Sequence, residues 1–191
     1  MDPLSDDDLM RLFGEGDASA FDALFDRHYV AVYNFAVAML GASEAEEALQ
    51  ETFLAIAQNV GKYAASGQFR SWLMRIVRNR CLNRLQARQA RRALFGGGSI
   101  ELVEPASVDP PPPRIAEANE QAQAIYEAVA QLPDRLREAI CLFAFQQMSY
   151  REIASVLDMP LNTVKTLIHR ARAELARRLL PGQEESPGEQ P

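Results

Sequence analysis

The chain has 191 residues, 48% hydrophobic and 24% charged, with a net charge of -6; this fits one domain or two small ones and excludes wholesale disorder, a collagen-like repeat and a membrane bundle. No apolar run approaches the roughly 20 residues needed to cross a bilayer, and the start, with Asp2, Asp6, Asp7 and Asp8, is acidic where a signal peptide is basic, so the expectation is a cytoplasmic protein with no direct membrane insertion. With two histidines, His28 and His169, and two distant cysteines, Cys81 and Cys141, no metal, cofactor or catalytic residue is expected, and the cysteines read as buried thiols.

Charge is segregated along the chain. Residues 1–51 hold 12 acids and 2 bases, whereas residues 52–100 hold 9 bases and no acid. Residues 101–134 carry -6, residues 135–180 carry +4 and the tail from 181 carries -3. A basic segment in an acidic protein concentrates its field where a polyanion docks, while the acidic remainder repels that polyanion elsewhere. Two nucleic-acid contacts are suggested, although basic helix faces are also common as plain solvated surface.

In chain order, residues 1–17 form an acidic N-terminal segment and residues 18–92 a first helical unit. Phe21, Leu24, Phe25, Val32, Phe35, Ala36, Met39 and Leu40 recur at helical spacing. Gly41 ends that helix, and Ser43 with Glu46 reads as a capping box for a second helix that buries Ala45, Leu49, Phe53, Ile56 and Val60. After a polar loop from Gly61 to Gln68, a third helix carries Phe69, Leu73, Ile76, Val77, Leu82 and Leu85, with arginines distributed around the rest. Gly96-Gly97-Gly98 and Pro110-Pro111-Pro112-Pro113 mark residues 93–116 as a linker, flexible and then stiff.

Residues 117–180 form a second helical unit, and residues 181–191 an unstructured acidic tail. Ile125, Val129, Leu132, Leu136, Ile140 and Phe143 continue an apolar stripe past Pro133. Ser149-Tyr150-Arg151-Glu152 is a capping box opening a short helix, Asp158-Met159-Pro160-Leu161 breaks it, and another helix runs from about Thr163. That is helix-turn-helix spacing, with Ala154 as the small residue at the crossing and Val164, Leu167, Ile168, Ala171 and Leu175 as the inner stripe. The outer face presents Lys165, Thr166 and His169 near its start and Arg170, Arg172, Arg177 and Arg178 beyond, a set suited to a major groove with flanking phosphate contacts. An ordinary helical hairpin with a basic face is the bland alternative. The fold class expected is all-α: two small helical domains joined by a Gly/Pro-rich linker.

Residues 45–54, AEEALQETFL, resemble the core-binding helix, and residues 69–79, FRSWLMRIVRN, the promoter-melting helix, of the bacterial extracytoplasmic-function (group IV) RNA polymerase sigma factors. Leu132-Pro133, Tyr150-Arg151-Glu152-Ile153-Ala154, Thr163-Val164-Lys165-Thr166 and Arg170-Ala171-Arg172 resemble the domain of that family that reads the upstream promoter element. The resemblance implies a non-enzymatic promoter-specificity subunit whose partners are RNA polymerase core, promoter DNA and an anti-sigma protein, in some members membrane-anchored. It implies polymerase contacts at Glu46, Glu47, Leu49, Gln50 and Phe53, the last equally readable as core. It implies downstream promoter contacts at a base-capturing loop from Lys62 to Gln68, with Tyr63, Ser66 and Gln68 as pocket donors, and on the helix after it at Arg70, Trp72, Arg75, Asn79, Arg80, Asn83 and Arg84. Trp72 on its own reads more readily as core. Upstream contacts are implied at Asn162, Thr163, Lys165, Thr166, His169, Arg170 and Arg172. Departures include Glu47 in place of the usual Asp, Asp158 and Asn162 where glycines are common, and Leu161 and Leu167 at places often polar; Asn162 can serve as an N-cap.

Three competing functions remain. A response-regulator transcription factor would need a partner domain of alternating strands and helices. A sigma-mimicking adapter that titrates regulators without touching DNA would not need the basic third helix. A helical enzyme would need a nucleophile, metal cluster or phosphate loop.

Overall fold

A computed structural model describes residues 4–65, 67–94 and 120–179. The expected linker, the tail and Ser66 lie wholly or largely outside the described residues. Among the described residues eight α-helices run in order: α1 (Asp6–Gly14), α2 (Ala18–Leu40), α3 (Ala42–Gln58), α4 (Phe69–Leu94), α5 (Glu120–Ala130), α6 (Asp134–Ile140), α7 (Tyr150–Leu157) and α8 (Leu161–Leu179). A 3-10 turn at Val60–Lys62 precedes the loop before α4, and a π-helical stretch at Cys141–Phe145 extends α6. No strand occurs among the described residues, as the periodicity predicts; an alternating strand-and-helix partner domain is therefore absent from them.

The first unit is larger than its apolar pattern suggests, because the acidic N-terminal segment contains α1. Ser5 caps it in a reciprocal box: its Oγ accepts from the Asp8 N–H at 3.1 Å, and the Asp8 carboxylate accepts from the Ser5 N–H at 3.3 Å. Leu9 and Met10 of α1 are buried against the bundle. The capping box expected at Ser43 and Glu46 does not form. Gly41, at φ 90°, ends α2 and directly precedes Ala42, the first residue of α3, so the turn is made by a backbone conformation open to glycine and no side chain caps the helix. Leu24, Phe35, Ile56, Leu73 and Met74 are fully buried where α2, α3 and α4 meet.

In the second unit the capping box at Ser149 and Glu152 forms as predicted. Asp158 ends α7 in the left-handed region at φ 54°, ψ 53°, and α8 begins at Leu161, before the expected Thr163. Asn162 is consequently inside the first turn of α8 and not its cap; Pro160 accepts from the Val164 N–H at 3.2 Å in the helix-start position. Val164, Ile168 and Ala171 form the buried stripe of α8, with Leu167 and Leu175 partly buried beside it.

The two units pack on each other along α2 and α4. Arg78 of α4 meets the Glu138 carboxylate of α6 at 2.5 Å, and Glu138 is 1% exposed. Arg75 donates to the Ser155 carbonyl at 2.6 Å, Arg137 to the Met39 carbonyl at 3.2 Å and Gln146 to the Ala31 carbonyl at 2.9 Å. Cys81 and Cys141 are both buried and free, and burial pushes each thiol up to about 12.

Candidate nucleic-acid interface

The hairpin of α2 and α3 sets one functional face. Ala45, Ala48, Leu49, Thr52, Phe53 and Ile56 of α3 turn inward, which leaves Glu46, Glu47 and Gln50 exposed. Phe53 is 4% exposed and packs on the rings of Phe25 and Phe21 at 4.7 and 6.1 Å. It and Leu49 are therefore core residues, and only the polar members of the expected polymerase-contact set reach the surface. Leu54, 57% exposed, shares that outer face at i+4 from Gln50 and was not singled out from sequence. It is a large apolar side chain on an otherwise polar helix face.

The loop before α4 makes a second face. Tyr63, Phe69 and Trp72 form an aromatic cluster, with centroids 4.9 Å apart for Tyr63 and Trp72 and 5.8 Å for Tyr63 and Phe69. Trp72 is half-buried and borders two clefts. One, of about 260 Å³, is lined by Lys62, Tyr63, Gln68, Trp72 and Arg75, with Ser155 of the second unit as a further wall. The other, of about 360 Å³, is lined by Lys62, Trp72, Asn79, Arg80 and Asn83, together with Asn59. Eight of the eleven expected downstream residues, Trp72 among them, thus line these two clefts. Amides, cations and an aromatic ring in adjoining clefts supply donors for base edges, charge for phosphates and a stacking surface.

Arg70 and Arg84 lie elsewhere. Arg70 lies within electrostatic reach of Glu152 of α7. Arg84 is turned toward α3, donating to Glu47 at 2.7 Å and Glu51 at 2.6 Å, so it is already committed to the acidic helix. The reason is the register of α3: Glu44, Glu47 and Glu51 form one ridge at steps of three and four, and Arg84 and Arg88 of α4 lie along it.

Tyr63 is also engaged from the N-terminus. Its hydroxyl donates to Asp7, whose other carboxylate oxygen accepts from the Gly67 N–H at 2.6 Å. Burial, followed by the Asp7 carboxylate, pushes the Tyr63 hydroxyl far up from its ordinary value. Beside it, Asp6 meets Arg27 at 2.5 Å and His28 at 2.9 Å. Burial by itself would raise the Asp6 pKa, but the bonds and charges of His28 and Arg27 outweigh it and hold the carboxyl below its ordinary value.

A third face is the outer surface of α8. Asn162, Thr163, Lys165, Thr166, His169, Arg170 and Arg172 are all exposed, opposite the buried Val164, Ile168 and Ala171. Thr166 folds its hydroxyl back onto the Asn162 carbonyl at 2.9 Å, and the Arg172 guanidinium lies 4.6 Å over the Phe143 ring. His169 and Arg170 border a groove against Leu132 and Pro133. Arg177 and Arg178 pair with Glu174, whereas the N-terminal half of α8 makes no ion pair among the described residues, a polar surface of the kind a major groove admits.

Family models for Sigma-70 region 2 and for Sigma-70 region 4 match residues 24–91 and 122–175. The RNA polymerase sigma factor NccH of Alcaligenes xylosoxydans xylosoxydans is 33% identical over 95% of this chain and 98% of its own length. SigM of Mycobacterium tuberculosis, an ECF RNA polymerase sigma factor, is 35% identical over 92% of this chain and 85% of its own. The chain belongs to the extracytoplasmic-function RNA polymerase sigma factors. As such a sigma factor it is a promoter-recognition subunit acting in transcription initiation. Its fold is similar to CnrH, solved in complex with the cytosolic domain of CnrY, at a TM-score of 0.66, 28% identity and coverage of 94% of this chain and 99% of that one. The sigma factor RpoE of Bartonella quintana, solved with the anti-sigma factor NepR, shares the fold at a TM-score of 0.72 and 23% identity, covering 86% of this chain and 98% of that one. Among the described residues no helix is long and apolar enough to cross a membrane.

Proposed function

We propose that this sigma factor is a cytoplasmic member of the group IV branch, with no catalysis of its own, that divides promoter recognition between its two units. The outer face of α3, with Glu46, Glu47, Gln50 and Leu54, docks on polymerase core. The clefts flanking Trp72 take the downstream element, with Tyr63, Gln68 and Arg75 around a captured base and Asn79, Arg80 and Asn83 against the adjoining strand. The N-terminal half of α8 reads the upstream element through Lys165, Thr166 and His169, with Asn162, Thr163, Arg170 and Arg172 steadying the backbone. An anti-sigma protein regulates it, in keeping with the complexes formed by CnrH and RpoE.

The observation that supports this division is the convergence of seven expected downstream residues on Trp72 while the α8 set lies on a separate exposed face. Run-off transcription from a promoter library, with polymerase core and with or without this protein, tests it. Lys165→Ala with His169→Ala is expected to erase discrimination between upstream elements, at roughly 1–3 kcal/mol per lost base contact. Arg80→Ala with Asn83→Ala is expected to lower open-complex formation severalfold at every promoter, because contacts to the strand backbone are shared by all sequences. Retained core binding with no promoter-dependent transcript would favour an adapter that titrates regulators.

A further inference from the structure

Three consecutive acids, Asp6, Asp7 and Asp8, open α1, and each makes a different connection. Asp8 closes the capping box with Ser5, and Asp6 fastens the helix to α2 through Arg27 and His28. Asp7 reaches across to the loop before α4, where its two carboxylate oxygens accept from the Tyr63 hydroxyl and the Gly67 N–H. These two donors lie near opposite ends of the loop, so a single carboxylate ties both ends to one rigid helix. Gly67 is at φ 69°, a conformation that glycine adopts without strain. The Tyr63 ring in turn abuts Trp72 and Phe69, so fixing the hydroxyl fixes one wall of the cleft that also holds Gln68 and Arg75.

We propose that Asp7 is a positioning residue for promoter melting: by holding Tyr63 and Gly67 it keeps the cleft of Tyr63, Gln68 and Trp72 in the shape that receives an unstacked base. The proposal rests on the assignment of that loop to base capture. A loop that must accept a base from a duplex gains when its receiving shape is set beforehand, because the ordering cost is then absent from the melting step. The strut comes from the N-terminal segment and leaves the Tyr63 ring face and the Gln68 amide unoccupied by hydrogen bonding to α1. A carboxylate suits the position because each of its two charged oxygens accepts from one donor; an Asn amide keeps one oxygen for the Gly67 N–H but turns an uncharged NH2 toward the Tyr63 hydroxyl, which must then rotate to accept.

The test uses the full chain assembled with polymerase core on a mapped promoter carrying 2-aminopurine at each non-template position of the downstream element in turn. Fluorescence reports unstacking and capture, and core affinity and thermal melting are measured in parallel. Asp7→Asn is expected to lower open-complex formation roughly tenfold, the scale of one charge-assisted hydrogen bond, with core affinity unchanged. Asp7→Glu is expected to recover part of the loss. Asp7→Asn combined with Tyr63→Phe is expected to be no worse than the weaker single variant, since both remove one link. Open-complex formation unchanged or increased in Asp7→Asn would overturn the proposal, as would a loss matched by an equal loss of core affinity. Gln68→Ala and Trp72→Ala separate the two layers: if they impair capture and Asp7→Asn does not, only the strut fails; if neither does, the assignment of the loop fails first.

Discussion

At the scale of single residues, exposure decides which members of a motif are available to a partner. Phe53 and Leu54 are neighbours in α3 with opposite fates, one in the aromatic core and one 57% exposed. Phe53→Ala is expected to destabilise the first unit by about 3–5 kcal/mol through lost packing and a cavity, so a loss of polymerase binding in that variant would report unfolding. Leu54→Ala is expected to leave stability within about 0.5 kcal/mol and to weaken association with core by roughly tenfold, as truncation of an apolar anchor does. Binding of labelled full-length variants to purified core, beside thermal melts, checks both. Residue type and spacing made the acidic face of α3 legible in the sequence, but the assignment of Leu54 needed the rotation of the helix against α2. Arg84 needs the same kind of information: helical spacing puts it near Asn83 and Arg80, while the ridge of Glu44, Glu47 and Glu51 that it pairs with belongs to another helix.

At the scale of elements, the helix-turn-helix shows how far local chemistry sets geometry. The capping box at Ser149 and the break at Asp158-Met159-Pro160 are local signals, and both appear where the residues place them. Asp158 occupies the left-handed region, where a non-glycine residue is strained, Asp less so than most. Asp158→Gly is expected to stabilise the second unit by up to about 1 kcal/mol, read as a rise of a few degrees in thermal melting of the full chain. An unchanged or lower melting temperature would mean that the turn draws stability from the aspartate side chain. The helices themselves were legible because their apolar stripes have the helical period. Two features were not: α1, whose short acidic sequence carries few apolar residues and gains its stability by docking, and the α2–α3 corner, where Gly41 turns the chain and Ser43 never reaches a cap position.

At the scale of the whole molecule, the two units meet through polar groups that bond across the seam. Glu138 is buried, and its partner Arg78 comes from the other unit; the Ala31 and Met39 carbonyls of α2 accept from Gln146 and Arg137. The ion pair adds specificity more than net energy to this seam, because a buried pair gives back much of its attraction in desolvation. Parting the units would return Arg78 and Glu138 to water together, so neither charge would be left buried without its partner. Arg75 adds a functional consequence, since the guanidinium that borders the cleft proposed to capture a base is held by the Ser155 carbonyl of the second unit. The two thiols supply a reporter: Cys81 and Cys141 lie within electrostatic reach of Glu138 on their respective sides of the seam and are held up to about 12 by burial. In the closed molecule both are expected to resist alkylation at pH 8, being neither exposed nor ionised. Glu138→Ala leaves Arg78 without its carboxylate and is expected to loosen the seam while each bundle keeps its own core. Alkylation of Cys81 and Cys141 is then expected to accelerate by at least about tenfold, equivalent to about 1.4 kcal/mol of easier opening, with a larger radius of gyration in solution scattering and an unchanged helical circular-dichroism signal. Acceleration accompanied by loss of helical signal would instead mean that the ion pair supports the second bundle itself.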